Sequence, residues 1–267
     1  MPETERDRKF LAEALRIIEL GEKEGIPFRV IGSLAVRIHS PKFNYLYEGI
    51  DRPVTDIDYV TYGKYNSRMT KFFRPLGYEP NRFIMAYYGK RRNIFYSEEK
   101  GWQVDIFFDE LDMCHKVDFR GRLELDSPTI TLADFLLEKM QIVEINAKDL
   151  KDVIIAMREH GVGETEHEEI NLPYIVNIMS QDWGFYYTFT TNMRKTKAYL
   201  ERFNAELPEE ALKKDIGLTE EDKADVAGKI DQILEAVEAA PKSSKWKMRA
   251  KIGPKVRWYK QVEEVRR

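Results

Sequence analysis

Cysteine is nearly absent from this 267-residue chain. Cys114 is the one thiol, so no disulfide can form within the chain and a reducing compartment is expected. Histidine is scarce as well, and His39, His115, His160 and His167 show none of the short spacings of a zinc motif. Long apolar runs are missing; none approaches the roughly 20 residues a membrane span requires, and no membrane partner is expected. The charged stretch from Met1 to Lys9 lacks the apolar region of a secretory signal, which makes the cytoplasm the expected location. What is present is 43% hydrophobic and 33% charged, with a mean hydropathy of -0.53. That is the composition of an ordinary globular chain long enough for one or two domains.

The net charge is only -3, but it is unevenly spread. From Lys242 to Arg267 ten Lys/Arg stand against two Glu, a local +8 that leaves -11 on the preceding residues. A polyanionic partner is therefore expected to meet this tail first.

Periodicity outlines the elements. Leu11, Ala14, Leu15 and Ile18 form a helical stripe, and Phe28, Val30 and Ile31 a short strand running into Gly32-Ser33 and a helix over Leu34 to Ile38. His39 to Pro53 reads as loop. Ile57 to Val60, Arg82 to Tyr88, Asn93 to Tyr96 and Trp102 to Phe108 read as strands, with a helix from Ser67 to Phe73. After Thr131 the pattern is helical to the end. The expected fold is α/β (α+β): a mixed-sheet core over 1–130, then a mainly helical domain over 131–267 with an acidic segment at 206–238 and the basic tail at 242–267.

Three features carry chemistry. A glycine between strand and helix, Gly32 with Ser33, lets an anion approach the free N–H groups at the helix start. Asp56 and Asp58, two apart on a strand, point to one face with Cα atoms about 6.6 Å apart, a spacing suited to hard divalent cations. Asp105 sits inside the apolar strand Trp102 to Phe108, where an unpaired carboxylate is expensive; it needs a basic partner or a metal.

Taken together, strand-Gly-Ser-helix, then Asp56-Ile57-Asp58, then a lone strand aspartate 47 positions after Asp58, resemble the DNA polymerase beta-like nucleotidyltransferase superfamily. The resemblance implies Gly32 and Ser33 on the phosphates of an NTP such as ATP or GTP. It further implies Asp56 and Asp58 on two Mg²⁺ or Mn²⁺ ions, and Asp105 on the catalytic one. The stretch LADFLLEKMQIVEINAKDLKDV is similar to AbiEii-type nucleotidyltransferases, with Asp134, Lys139, Asp149 and Asp152 at matching places and Lys148 where an arginine is usual. That likeness implies Lys139 at the triphosphate, Asp149 and Asp152 as helix braces, and a toxin of a toxin–antitoxin pair as one role. Two departures stand out: 22 residues separate Ser33 from Asp56, so His39 to Thr55 reads as an inserted loop, and Arg52 falls at a shifted spacing.

The implied activity is transfer of an NMP from an NTP to an acceptor hydroxyl of RNA or tRNA, a protein or a small molecule. The alternative is a non-catalytic nucleotide- or RNA-binding protein on the same fold. Trp246, Trp258 and Tyr259, interleaved with lysines and arginines, suit stacking on unpaired RNA bases, or else pack on the body. Trp183, Phe185, Tyr186, Tyr187 and Phe189 read as core, and His39 and His115 as polar loop residues outside catalysis.

Overall fold

The computed structural model describes residues 5–49, 54–207 and 209–262. Arg52 and the last five residues of the basic tail lie outside them. The chain divides into two compact units: Met1–Ile38, Arg52–Leu111 and Asp118–Ile130 form one, and His39–Asp51, Asp112–Val117 and Thr131–Arg267 the other. The segments His39–Asp51 and Asp112–Val117, expected with the sheet domain, belong to the second unit.

The first unit is built on a five-stranded sheet. Its strands are β1 (Arg29–Val30), β2 (Ile57–Thr61), β3 (Glu79–Pro80), β4 (Arg92–Ser97) and β5 (Trp102–Phe108), in the order β1-β2-β5-β4-β3. β2 and β5 run parallel and the other pairs antiparallel, which makes the sheet mixed. Helix α1 (Glu5–Lys23) buries Phe10, Ala14, Ile17 and Ile18, the stripe its periodicity requires. The Tyr59 hydroxyl donates to the Ala14 carbonyl at 2.9 Å, so α1 lies over the sheet face that carries Ile57 and Tyr59. Gly21 lets the chain turn off α1: a Cβ there would stand 2.5 Å from the Phe28 ring and 2.8 Å from the Ile26 carbonyl. Helix α2 (Gly32–His39) follows β1, and α3 (Met69–Phe73) packs Phe73 against Phe95 with ring centroids 4.7 Å apart.

One expected strand is a helix. Arg82 to Tyr88 forms α4 because Asn81 caps it, its side-chain oxygen accepting from the Phe83 and Ile84 amides at 3.1 Å each. Ile84 is the buried residue of this helix, whereas Phe83, Tyr87 and Tyr88 are exposed, so its apolar run is not a core signal. The short strands β6 (Glu110–Asp112) and β7 (Lys116–Asp118) pair with each other.

The second unit centres on α5 (Leu132–Met140), whose nine residues are all buried. Against it pack α6 (Ala147–Glu159), α7 (Leu172–Gln181) and α8 (Trp183–Tyr199); α10 (Glu220–Ala239) packs on all three, α11 (Ser244–Ile252) on α7 and α8, and the short α9 (Glu209–Leu212) beside residues 44–49. Polar caps fix where they begin: Thr131 for α5, Asn146 for α6, Asp182 for α8, and a Thr219/Asp222 capping box for α10. Trp183, Phe185 and Phe189 are core, as expected, while Tyr186 and Tyr187 are partly exposed. The expectation of helix alone after Thr131 is corrected by β8 (Gly161–Gly163) and β9 (Glu169–Asn171), a parallel pair too short to show a period of two. His115 lies in the loop between β6 and β7, as expected, whereas His39 is the last residue of α2; both are buried. Among the described residues no helix is long and apolar enough to cross a membrane.

Candidate functional site

Gly32, Ser33, Asp56, Asp58 and Asp105 meet in the first unit. β1 and β2 pair with Val30 opposite Tyr59, and just beyond that pair the Ile31 amide donates to the Asp58 carbonyl at 3.0 Å. The turn into α2 is thereby fixed beside Asp58. Gly32 has φ 71, a left-handed conformation that glycine adopts without strain, and the first turn of α2 carries no acidic residue to repel an anion. Asp56 stands one residue ahead of β2, with the Thr55 hydroxyl donating to its Oδ1 at 2.9 Å. Asp58 and Asp105 are register neighbours across the parallel β2–β5 pair. Alternation along the strand then brings all three carboxylates to the same face, opposite the one that buries Ile57 and Tyr59.

The basic partner that the sequence left unidentified is Arg92. Its Nε donates to Asp105 Oδ1 at 3.0 Å and Oδ2 at 2.9 Å, and its Nη2 also donates to Oδ2. Burial pushes the Asp105 carboxyl up, and the Asp56 charge adds to the rise while Arg92 pulls it down. Burial alone would lower the Arg92 guanidinium, but its bonds to Asp105 and the fields of Asp58 and Asp56 raise it. Arg92 thus senses all three acids.

Three carboxylates are hard oxygen donors of the kind Mg²⁺ and Mn²⁺ take. Asp56 and Asp58, partly exposed, fit that role directly; Asp105 fits it once Arg92 yields one oxygen. Among the described residues, the group of three potential ligands whose donor atoms all lie within 4.8 Å is instead His39, His160 and Glu168.

Lys139 lies in the second unit, on α5, and is 4% exposed. Its Nζ donates to Asp149 Oδ1 and Asp152 Oδ2 at 3.0 Å each, and Asp152 also accepts from the Tyr47 hydroxyl at 3.0 Å. Asp149 and Asp152 therefore brace α5 against α6 through the lysine.

In the tail, the tryptophans pack on the body. Trp258 donates to Thr188 Oγ1 at 2.9 Å and meets Tyr187 edge-on, Trp246 meets Tyr186, and the Arg249 guanidinium lies 4.6 Å from the Trp183 ring centre. Lys245, Lys247, Lys251 and Lys255 remain exposed.

A second basic–aromatic surface escaped the two-block charge count. Residues 59–97 hold eight Lys/Arg and one acid, Glu79, a local +7 with eleven aromatics. Phe83, Tyr87, Tyr88 and Tyr96 are exposed, beside the exposed Arg82, Lys90 and Arg91. Asn66 ties the 63–68 turn to this region, donating to the Gly89 carbonyl and accepting from Asn93 at 3.1 Å. A sliding charge window, rather than a division into body and tail, would have found it.

In comparison with known proteins, no family model matches the chain, and no curated protein or solved structure is similar enough to say which family it belongs to.

Proposed function

We propose that this chain is a divalent-metal-dependent nucleotidyltransferase that moves an NMP from an NTP to an acceptor hydroxyl. The observation that carries this reading is the placement of Asp56, Asp58 and Asp105 on one sheet face, beside the Gly32 turn. Bound Mg²⁺ or Mn²⁺ would supply charge neutralisation at the triphosphate and a more acidic acceptor hydroxyl. Asp56 and Asp58 would hold the cation and Asp105 would join them. The amides at the start of α2 would receive phosphate oxygens. Holding the α-phosphorus in line with the acceptor is then mainly a matter of position and charge.

The surface over residues 59–97 supports a polynucleotide acceptor better than the tail does, since Phe83, Tyr87, Tyr88 and Tyr96 are exposed there and the tail's tryptophans are packed. Incubating the protein with each α-labelled NTP, Mg²⁺ and total cell extract tests the reading: label should enter one macromolecular fraction. An RNA acceptor gives transfer that falls steeply with salt and is weakened in Lys90→Ala/Arg91→Ala. No label in any fraction would favour the second reading, a non-catalytic nucleotide-binding protein, for which the Arg92 hold on both Asp105 oxygens is the supporting observation.

A further inference from the structure

His160 caps the C-terminus of α6 and is 5% exposed. Both its ring nitrogens face carbonyl oxygens: Nε2 lies 2.9 Å from the His39 carbonyl and Nδ1 lies 3.1 Å from the Glu168 carbonyl. A neutral imidazole has one N–H and can serve only one of these acceptors. The Glu168 carboxylate stands 3.5 Å from the same Nδ1, and a ligand atom of His39 completes a group within 4.8 Å. Glu168 has φ 55, a left-handed backbone that is uncommon for a residue with a side chain, and in it both its carbonyl and its carboxylate lie close to Nδ1.

From this geometry we infer that His39, His160 and Glu168 form a Zn²⁺ site in the second unit, separate from the three aspartates. Two ligands each about 2.1 Å from one zinc ion lie about 3.0–3.4 Å apart, close to the spacing of Nδ1 from the two Glu168 oxygens. With the single proton of the neutral ring on Nε2, the Nδ1 lone pair bonds the metal with no proton released, and the Nε2–H donates to the His39 carbonyl, the outer bond that orients a ligating histidine. The negative end of α6 favours the cation at this position. Two histidines and one carboxylate leave a position for solvent or a further ligand, and this donor set prefers zinc to magnesium. The sequence showed no signal because His39 and His160 are 121 positions apart.

The test is zinc content of the full chain after chelator stripping, zinc addition and dialysis, read by elemental analysis. About one zinc per chain should remain in the wild type and in Asp56→Asn, which weakens the aspartate site, and Co²⁺ should give the intense visible bands of a tetrahedral site. Glu168→Gln and His39→Gln should weaken zinc binding about tenfold or more. Because the Glu168 side chain is 58% exposed, its variant keeps the fold even if a His160 variant does not. Zinc lost from the wild type on dialysis, equal retention in both variants, or ¹⁵N spectra with zinc showing both His160 ring nitrogens protonated would overturn the site.

Discussion

The half-buried Arg92 guanidinium and the buried Asp105 carboxylate form a two-pronged pair across β4 and β5, with Arg92 opposite Phe107 in register and reaching back to Asp105. Removing the arginine strands a carboxylate that is 2% exposed. Arg92→Met should therefore lower stability by about 1–3 kcal/mol in urea unfolding, and adding Asp105→Asn should recover part of it. If Arg92 competes with a cation for Asp105, Mg²⁺ will raise the melting midpoint more in Arg92→Met than in the wild type. An equal or smaller rise would make Arg92 a fixed part of the site.

Asp56→Asn and Asp58→Asn should each abolish nucleotide transfer while leaving the melting midpoint unchanged or higher, because removing one charge from an acidic cluster relieves repulsion. Transfer assays beside circular dichroism separate the two effects. Full transfer in both variants would remove the aspartates from the mechanism.

β2 and β5 were legible because Ile57–Val60 and Trp102–Phe108 are apolar runs of strand length, and α5 and α6 because of their apolar stripes, whereas the two-residue edge strand β3 (Glu79–Pro80) is too short to show a period. Arg82–Tyr88 was not: Phe83, Tyr87 and Tyr88 look like strand residues until the Asn81 cap is seen to start a helix with one buried side chain. The three aspartates could be picked out by residue type and spacing. Their partner could not, since Arg92 reaches Asp105 through an antiparallel register that no single-chain pattern encodes. The sequence singled out Lys139 for the triphosphate and Asp149 and Asp152 as helix braces; only packing shows that the lysine is bonded to both acids.

Replacing Lys139 tests that bracing role. Lys139→Met leaves Asp149 and Asp152 buried without their cation and should cost about 3–5 kcal/mol. Lys139→Met/Asp149→Asn/Asp152→Asn should restore much of the stability in thermal unfolding. Transfer activity that returns with stability marks the lysine as a brace, whereas activity still missing from the stable triple variant marks it as a phosphate contact.

Acid should weaken the second unit through His115. Its ring is stacked on Phe185, Nε2 lies 2.8 Å from Thr188 Oγ1, and burial lowers its pKa from the ordinary 6.5 to about 4, with Asp182 pulling upward. The folded form thus prefers the neutral ring, and the unfolded chain takes up the proton first. The stability tied to this group is fully present above 6.5 and is lost as pH falls toward 4, on the order of 3 kcal/mol in total. His115→Gln should flatten the slope of stability between those pH values. A wild-type slope left unchanged would place the acid sensitivity elsewhere.

The hydrogen bond from the Ile31 amide to the Asp58 carbonyl closes the base of the 22-residue excursion between Ser33 and Asp56. Where an excursion starts and ends at paired backbone, its length is decoupled from the geometry at its base, and each doubling adds only about 0.6 kcal/mol of closure entropy. The two halves of the candidate site therefore act as one fixed platform, while the chain between them, which holds most of α2 together with His39 and the Tyr47 bonded to Asp152, is committed to the packing of the protein and is not a free loop.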